Sequence, residues 1–69
     1  MGLYHYNDGS KYDGVFLNDD RHGRGAFTTK DGHVFDGTFV RGDFEGNGVV
    51  RYANGSVARG HFENWVHIE

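Results

Sequence analysis

Five histidines are the residues of this sequence best suited to metal binding or acid-base chemistry. They have neither zinc-finger nor zincin spacing, and the chain has no cysteine to complete a thiolate site. Scattered histidines of this kind are typically structural or solvent-exposed. We therefore predict no metal site among the five, which are His5, His22, His33, His61 and His67.

Acidic pairs occur at Asp19-Asp20 and at Asp43 and Glu45, and paired carboxylates can serve glycosidic or metal chemistry. Both pairs fall in predicted turns, where acidic residues promote turn formation. The Gly-Arg-Gly run at residues 23–25 precedes no helix, so it lacks the aligned amides of a phosphate cradle. We also find no known nucleophile motif. The sequence thus predicts no catalytic residue, no cofactor and no enzymatic activity.

Composition and charge exclude further classes of protein. Sixty-nine residues allow one domain, and no apolar run approaches the roughly 20 residues of a transmembrane helix. Seven basic residues against ten acidic ones give a net charge of −3, which disfavours nucleic-acid binding. The lack of cysteine is compatible with a reducing compartment, so we expect a cytoplasmic location.

The glycines reveal an internal repeat of 23 residues. Gly2, Gly25 and Gly48 form one series at this spacing, and further series begin at Gly9 and Gly14. Fixed-period similarity of this kind is typical of repeat architectures. We divide the single domain into a half unit (1–10), two full units (11–33 and 34–56) and a partial C-terminal unit (57–69). The same shift relates the aromatics Phe16, Phe39 and Phe62.

Each full unit reads as a β-hairpin, because two β-branched and aromatic runs are separated by turn residues. No window has an apolar pattern of helical period. We therefore predict an all-β fold: a single-layer antiparallel β-meander of about six short strands, twisted and curved. The first and last strands, residues 3–6 and 57–62, should leave open sheet edges, through which we expect a partner to dock as well.

Loop length decides which side chains share a face. A three-residue loop at Asn7-Asp8-Gly9, with its glycine left-handed, pairs Tyr4 with Tyr12. The same geometry in the next unit pairs Phe27 with Phe35 and Gly25 with Gly37. A four-residue connection over residues 18–21 would place Phe16 opposite Gly23.

This register collects the repeated rings and glycines on one concave face. The rings either cover one another as the core or leave a groove for a peptide or helix of a partner protein, and both can hold together. The residues that we predict to bind a partner are Tyr4, Tyr12, Phe16, Phe27, Phe35, Phe39, Tyr52 and Phe62.

The run of Tyr12, Gly14 and Phe16, followed by residues 22–25 and Asp31-Gly32, resembles the MORN repeat (membrane occupation and recognition nexus). Phenylalanine replaces the family's tryptophan throughout, and Asp19 replaces a glycine. In the last unit Trp65 replaces that glycine, so we expect residues 65–68 to cap the last hairpin.

The resemblance implies a non-catalytic scaffold that binds protein partners. Proteins of this family are often found in cilia and flagella, including the axoneme, and in other cytoskeletal structures. The family name also implies an alternative, a peripheral membrane module that binds phosphoinositides. Dispersed basic residues give that alternative little support, because a stable peripheral anchor usually needs a polybasic patch.

Overall fold

A computed structural model describes residues 2–69, so Met1, the first residue of the predicted half unit, lies outside the described residues. Residues 2–69 form seven antiparallel strands, each paired with its sequence neighbours in one open sheet. The strands are β1 (Gly2–His5), β2 (Lys11–Leu17), β3 (Asp20–Thr28), β4 (Val34–Val40), β5 (Asp43–Arg51), β6 (Val57–Glu63) and β7 (Val66–His67).

The predicted all-β meander is therefore confirmed, with one strand more than the six expected. The additional strand, β7, comes from the C-terminal segment. Residues 2–69 contain no helix that is long and apolar enough to cross a membrane.

The three-residue turns have the predicted geometry. In the first of them Gly9 is left-handed, with a φ of 97°, and its N–H donates to the carbonyl of Tyr6 at 3.2 Å. The Asp8 carboxylate accepts hydrogen bonds from the hydroxyl (2.6 Å) and the N–H (2.9 Å) of Ser10. These bonds hold the pKa of Asp8 below its usual value. As predicted, the turn pairs Tyr4 with Tyr12.

The four-residue connection predicted over residues 18–21 is wrong. Leu17 pairs with Asp20 and Phe16 with Arg21, which leaves a two-residue turn. Both turn residues, Asn18 and Asp19, have positive φ, at 51° and 67°. This conformation is that of a type I′ turn, which matches the right-handed twist of the flanking strands.

A bulge in β3 absorbs the residues that the shorter turn leaves over. Gly14 still pairs with Gly25, so the single residue Val15 of β2 lies opposite residues 22–24 of β3. The same shift occurs between β4 and β5, on either side of Thr38. Bulges of this kind bend a strand and redirect its side chains.

The C-terminal edge differs from the prediction, because the second half of β6 is not open. β7 pairs Phe62 with His67, and the N–H of Ile68 then donates to the carbonyl of His61 at 2.8 Å. At the other end of the sheet, β1 pairs only with β2 among the described residues.

Candidate functional site

One face of the sheet carries rows of rings and glycines, and we call it the aromatic face. Strand alternation directs Tyr12, Phe39 and Phe62 to this side. Their exposed fractions are 0%, 0% and 2%, although only one layer of sheet is present. Burial of this extent means that neighbouring rings cover one another. The ring centroid of Tyr12 lies 5.2 Å from that of Phe39, and the ring centroid of Phe62 lies 4.9 Å from that of Phe44.

Rings lie directly over glycine backbone on this face. A Cβ atom added to Gly48 would lie 2.5 Å from Cζ of Phe44, and one added to Gly25 would overlap the ring of Tyr12. The Tyr12 hydroxyl donates to the carbonyl of Val15 at 3.0 Å. Burial raises the pKa of this hydroxyl. Missing side chains thus provide the space into which the core rings pack.

Trp65 covers the C-terminal half of the aromatic face. Its ring centroid lies 5.1 Å from that of Phe35, 5.6 Å from Phe27 and 5.8 Å from Phe39. The indole N–H donates to the Asp43 carboxylate at 3.2 Å. Trp65 is the second residue of the two-residue turn before β7 and has a φ of 73°, an uncommon conformation for so bulky a side chain. Of the residues in the predicted C-terminal cap, Trp65 lies over the aromatic face, whereas residues 66–68 pair with β6 of the last hairpin.

Within residues 2–69, no side chain covers the N-terminal half of the face as Trp65 covers the other half. Tyr4, Tyr6, Phe16 and Asp19 line a cleft of about 390 Å³. The Tyr4 ring centroid is 4.7 Å from that of Tyr6 and 6.1 Å from that of Phe16. Tyr4 is 53% exposed, so solvent reaches its ring directly. Asp19 occupies the same repeat position as Trp65 but brings no ring to fill the space.

Arg21 lies between the open and covered halves. Its guanidinium carbon is 4.8 Å from the ring centroid of Phe27 and 5.7 Å from those of Tyr6 and Trp65. A guanidinium at these distances is attracted by the ring quadrupoles. The aromatic face therefore already binds one cation from its own chain.

A comparison with known protein families identifies two repeats of 23 residues. The family model of the MORN repeat matches residues 12–34 and 35–57, two thirds of the chain. The chain belongs to the MORN-repeat family. MORN repeats are non-catalytic modules that generally mediate protein or membrane interactions. A search of curated proteins found no match.

The MORN units distribute the predicted partner-binding residues over three environments. The side chains of Tyr12, Phe39 and Phe62 are buried in the core, so a partner cannot reach them in this structure. Tyr52 is 40% exposed but lies beside His33, away from the cleft. The cleft takes in Tyr4 and Phe16, while the half-buried Phe27 and Phe35 contact Trp65.

Four residues important to this MORN surface were absent from the predicted set: Tyr6, Arg21, Phe44 and Trp65. Arg21 and Phe44 occupy one repeat position, where residue type changes between units, so neither belongs to a series of repeated aromatics. Tyr6 was recognisable as an aromatic that shares its repeat position with Tyr52. Trp65 is the only tryptophan of the chain and replaces a repeat glycine, and these two signals were available.

Two histidines and one acidic residue link neighbouring hairpins by hydrogen bonds. His22 Nδ1 accepts a hydrogen bond from the N–H of Arg41 at 3.4 Å, and the Glu45 carboxylate accepts one from the N–H of Asn64 at the equivalent place. His33 Nδ1 accepts from the N–H of Ala53 at 3.0 Å. Within residues 2–69, no group of three or more His, Asp or Glu side chains could hold a metal ion.

Proposed function

We propose that this protein is a non-catalytic scaffold that docks into a larger assembly through the open half of its aromatic face. The observation that carries the proposal is the difference between the two halves of this face. Trp65 covers one half, whereas Tyr4, Tyr6 and Phe16 border an open cleft in the other. Exposed rings at the edge of a rigid core are the anchors that protein interfaces favour.

The position of the cleft also supports docking. Phe16 contacts the buried Tyr12 with a centroid distance of 4.9 Å, so its ring is held by the core while one side borders the cleft. Anchors that are already ordered lose little side-chain entropy when a partner binds. A peptide or a helix from a partner would therefore meet a preformed surface.

The test is affinity purification of the tagged full chain from its native cell, with a matched pair of variants. Tyr6 and Tyr52 occupy the same repeat position, but only Tyr6 lines the cleft. We expect Tyr4→Ala and Tyr6→Ala to lose proteins that the wild type and Tyr52→Ala retain, with the fold of each variant checked by circular dichroism. Equal recovery with folded Tyr4→Ala, Tyr6→Ala and wild type would contradict the proposal.

Membrane binding is the other interaction typical of MORN repeats, and the charges of this chain do not favour it. Arg21 lies on the aromatic face, whereas Arg51 is 3.9 Å from Asp36 on the opposite face. Arg24 and Arg59 line a shallow groove of about 560 Å³ that also contains Asp36. Sedimentation with phosphoinositide vesicles at low salt, lost at higher salt, would instead support the membrane alternative.

We further propose that the assembly belongs to a cilium or to the cytoskeleton. This part of the proposal rests on the family resemblance alone. Localisation of the tagged chain by fluorescence microscopy in ciliated cells tests it, and signal that stays diffuse in the cytoplasm would contradict it.

A further inference from the structure

The cleft of the aromatic face has the chemistry of a site for a cationic side chain. Three of its four lining residues, Tyr4, Tyr6 and Phe16, are aromatic, and the fourth, Asp19, is acidic. Ring faces carry negative electrostatic potential and attract cations. A purely apolar side chain would fill the space between the rings but would gain no attraction from the negative charge of Asp19.

The chain itself contains an example of the expected contact. The guanidinium carbon of Arg21 lies 5.7 Å from the ring centroid of Tyr6, one of the rings that line the cleft. Tyr6 thus holds a guanidinium within the chain and also borders the open space. Guanidinium groups stack on aromatic rings and are more weakly hydrated than ammonium groups, so they lose less on entering such a site.

We propose that the cleft binds an arginine side chain of a partner protein. This inference rests on the proposed docking function and gives the partner its chemistry. The guanidinium would lie against Tyr4 and Tyr6 while its N–H groups face the carboxylate of Asp19. The like charge of Arg21 is offset by Asp19 and by the chain's net charge of −3.

The test uses a pair of peptides that differ in charge but hardly in shape. Acetyl-Gly-Arg-Gly-amide and the same peptide with citrulline in place of arginine are titrated into the isotope-labelled full chain. We expect the arginine peptide to shift the ring resonances of Tyr4, Tyr6 and Phe16. The citrulline peptide should bind about tenfold more weakly, because it lacks the charge that the rings and Asp19 attract.

Two variants and a control locate the contact. Asp19→Asn removes the charge but keeps a residue that tolerates the positive φ of 67° at this turn. Tyr4→Leu keeps apolar bulk but removes the ring. Each should weaken binding of the arginine peptide several-fold, whereas Tyr52→Leu, outside the cleft, should leave it unchanged. Spectra of each variant without peptide verify that the remainder of the sheet is intact.

Equal affinity for both peptides, shifts that map away from the cleft, or an absence of shifts would each overturn the inference. Those outcomes leave the docking proposal standing if partner recovery still depends on Tyr4 and Tyr6. Conversely, partner recovery that is insensitive to the folded Tyr4→Ala and Tyr6→Ala variants contradicts the docking function, whatever the peptides do. The two experiments therefore fail separately.

Discussion

The two MORN units, residues 12–34 and 35–57, have the same strand pairing but fill their aromatic faces differently. In the first, Tyr12 lies over Gly25. In the second, the ring over Gly48 comes from Phe44, which lies in β5, the second strand of its hairpin, whereas Tyr12 lies in the first strand of its own. The repeat therefore specifies a slot over glycine backbone without specifying which strand provides the ring.

The units also differ in whether a side chain from the next turn covers their rings. Gly42 and Trp65 occupy the same repeat position and make the same backbone contact, yet only Trp65 brings a side chain over the face. Arg21 stands in the first unit where Phe44 stands in the second, and it places a charge on the rings instead of a buried ring. The first unit consequently borders an open cleft at the place where Trp65 covers the second.

The largest expected effect tests the unequal roles of Phe44 and Arg21. Phe44 is 0% exposed, so Phe44→Ala should cost about 3–5 kcal/mol of unfolding free energy. That is a large part of the roughly 3–10 kcal/mol available to a chain of this size. Arg21→Ala should cost only about 1 kcal/mol. Urea denaturation measures both, and equal losses would mean that the two units share their core evenly.

Alanine substitutions in one glycine series test whether rings occupy the slot in both units. Gly48→Ala and Gly25→Ala should each cost about 2 kcal/mol, because the new methyl group meets a core ring. Gly2→Ala is the control, since an added Cβ there has no atom within 4 Å, and it should change stability by less than about 0.5 kcal/mol. Similar losses at all three positions would indicate a backbone effect rather than ring packing.

Substitutions of Trp65 separate its packing from its conformation. Both Trp65→Ala and Trp65→Gly lose the indole contacts, but glycine accepts the φ of 73° without strain. Trp65→Gly should therefore be about 1 kcal/mol more stable than Trp65→Ala in urea denaturation followed by circular dichroism. Gly42→Ala, at a φ of 91°, should lose a similar amount. A more stable alanine variant at position 65 would show that the turn relaxes.

The smallest expected effect concerns the hydroxyl that distinguishes Tyr12 from the phenylalanine rings. Tyr12→Phe should cost about 1 kcal/mol through loss of the bond to Val15. Burial raises the pKa of Tyr12 above its usual 10.0, so the folded chain holds this proton more tightly than the unfolded chain does. The stability from this group is present below about pH 10 and is lost as pH rises further. Tyr12→Phe should flatten that decline, and an unchanged slope would contradict the assignment.

Most of the sheet could be predicted from the sequence because turn chemistry determines pairing. Once Asn7-Asp8-Gly9 is read as a three-residue loop, the pairs Gly2–Gly14 and Tyr4–Tyr12 follow, and the structure has both. The predicted length of the turn after Leu17 was wrong, because the number of residues between two strands does not show whether one strand contains a bulge. The φ of 90° at Gly23 marks the bulge that absorbs the extra residues of β3.

The candidate site was harder to predict, because it depends on where the units differ. A search for repetition finds positions that carry the same residue type in every unit. One repeat position carries three different residue types, namely Arg21, Phe44 and His67. Two of them, Phe44 and His67, nevertheless both pack on Phe62. Whether a ring is buried or exposed also depends on the reach of Trp65 across the sheet, which spacing along the chain does not contain.

The same backbone hydrogen bond links a two-residue turn to the preceding hairpin at two places in the sheet. The N–H of Gly42 donates to the carbonyl of Arg21 at 2.8 Å, and that of Trp65 donates to the carbonyl of Phe44 at 3.1 Å. Since this bond involves no side chain, the bond itself does not specify the residue that makes it, although the positive φ of this turn favours glycine. In a tandem array, each such turn could carry either tryptophan or a small residue. That difference would determine which stretches of the sheet surface are covered by an indole ring and which stay accessible to a binding partner.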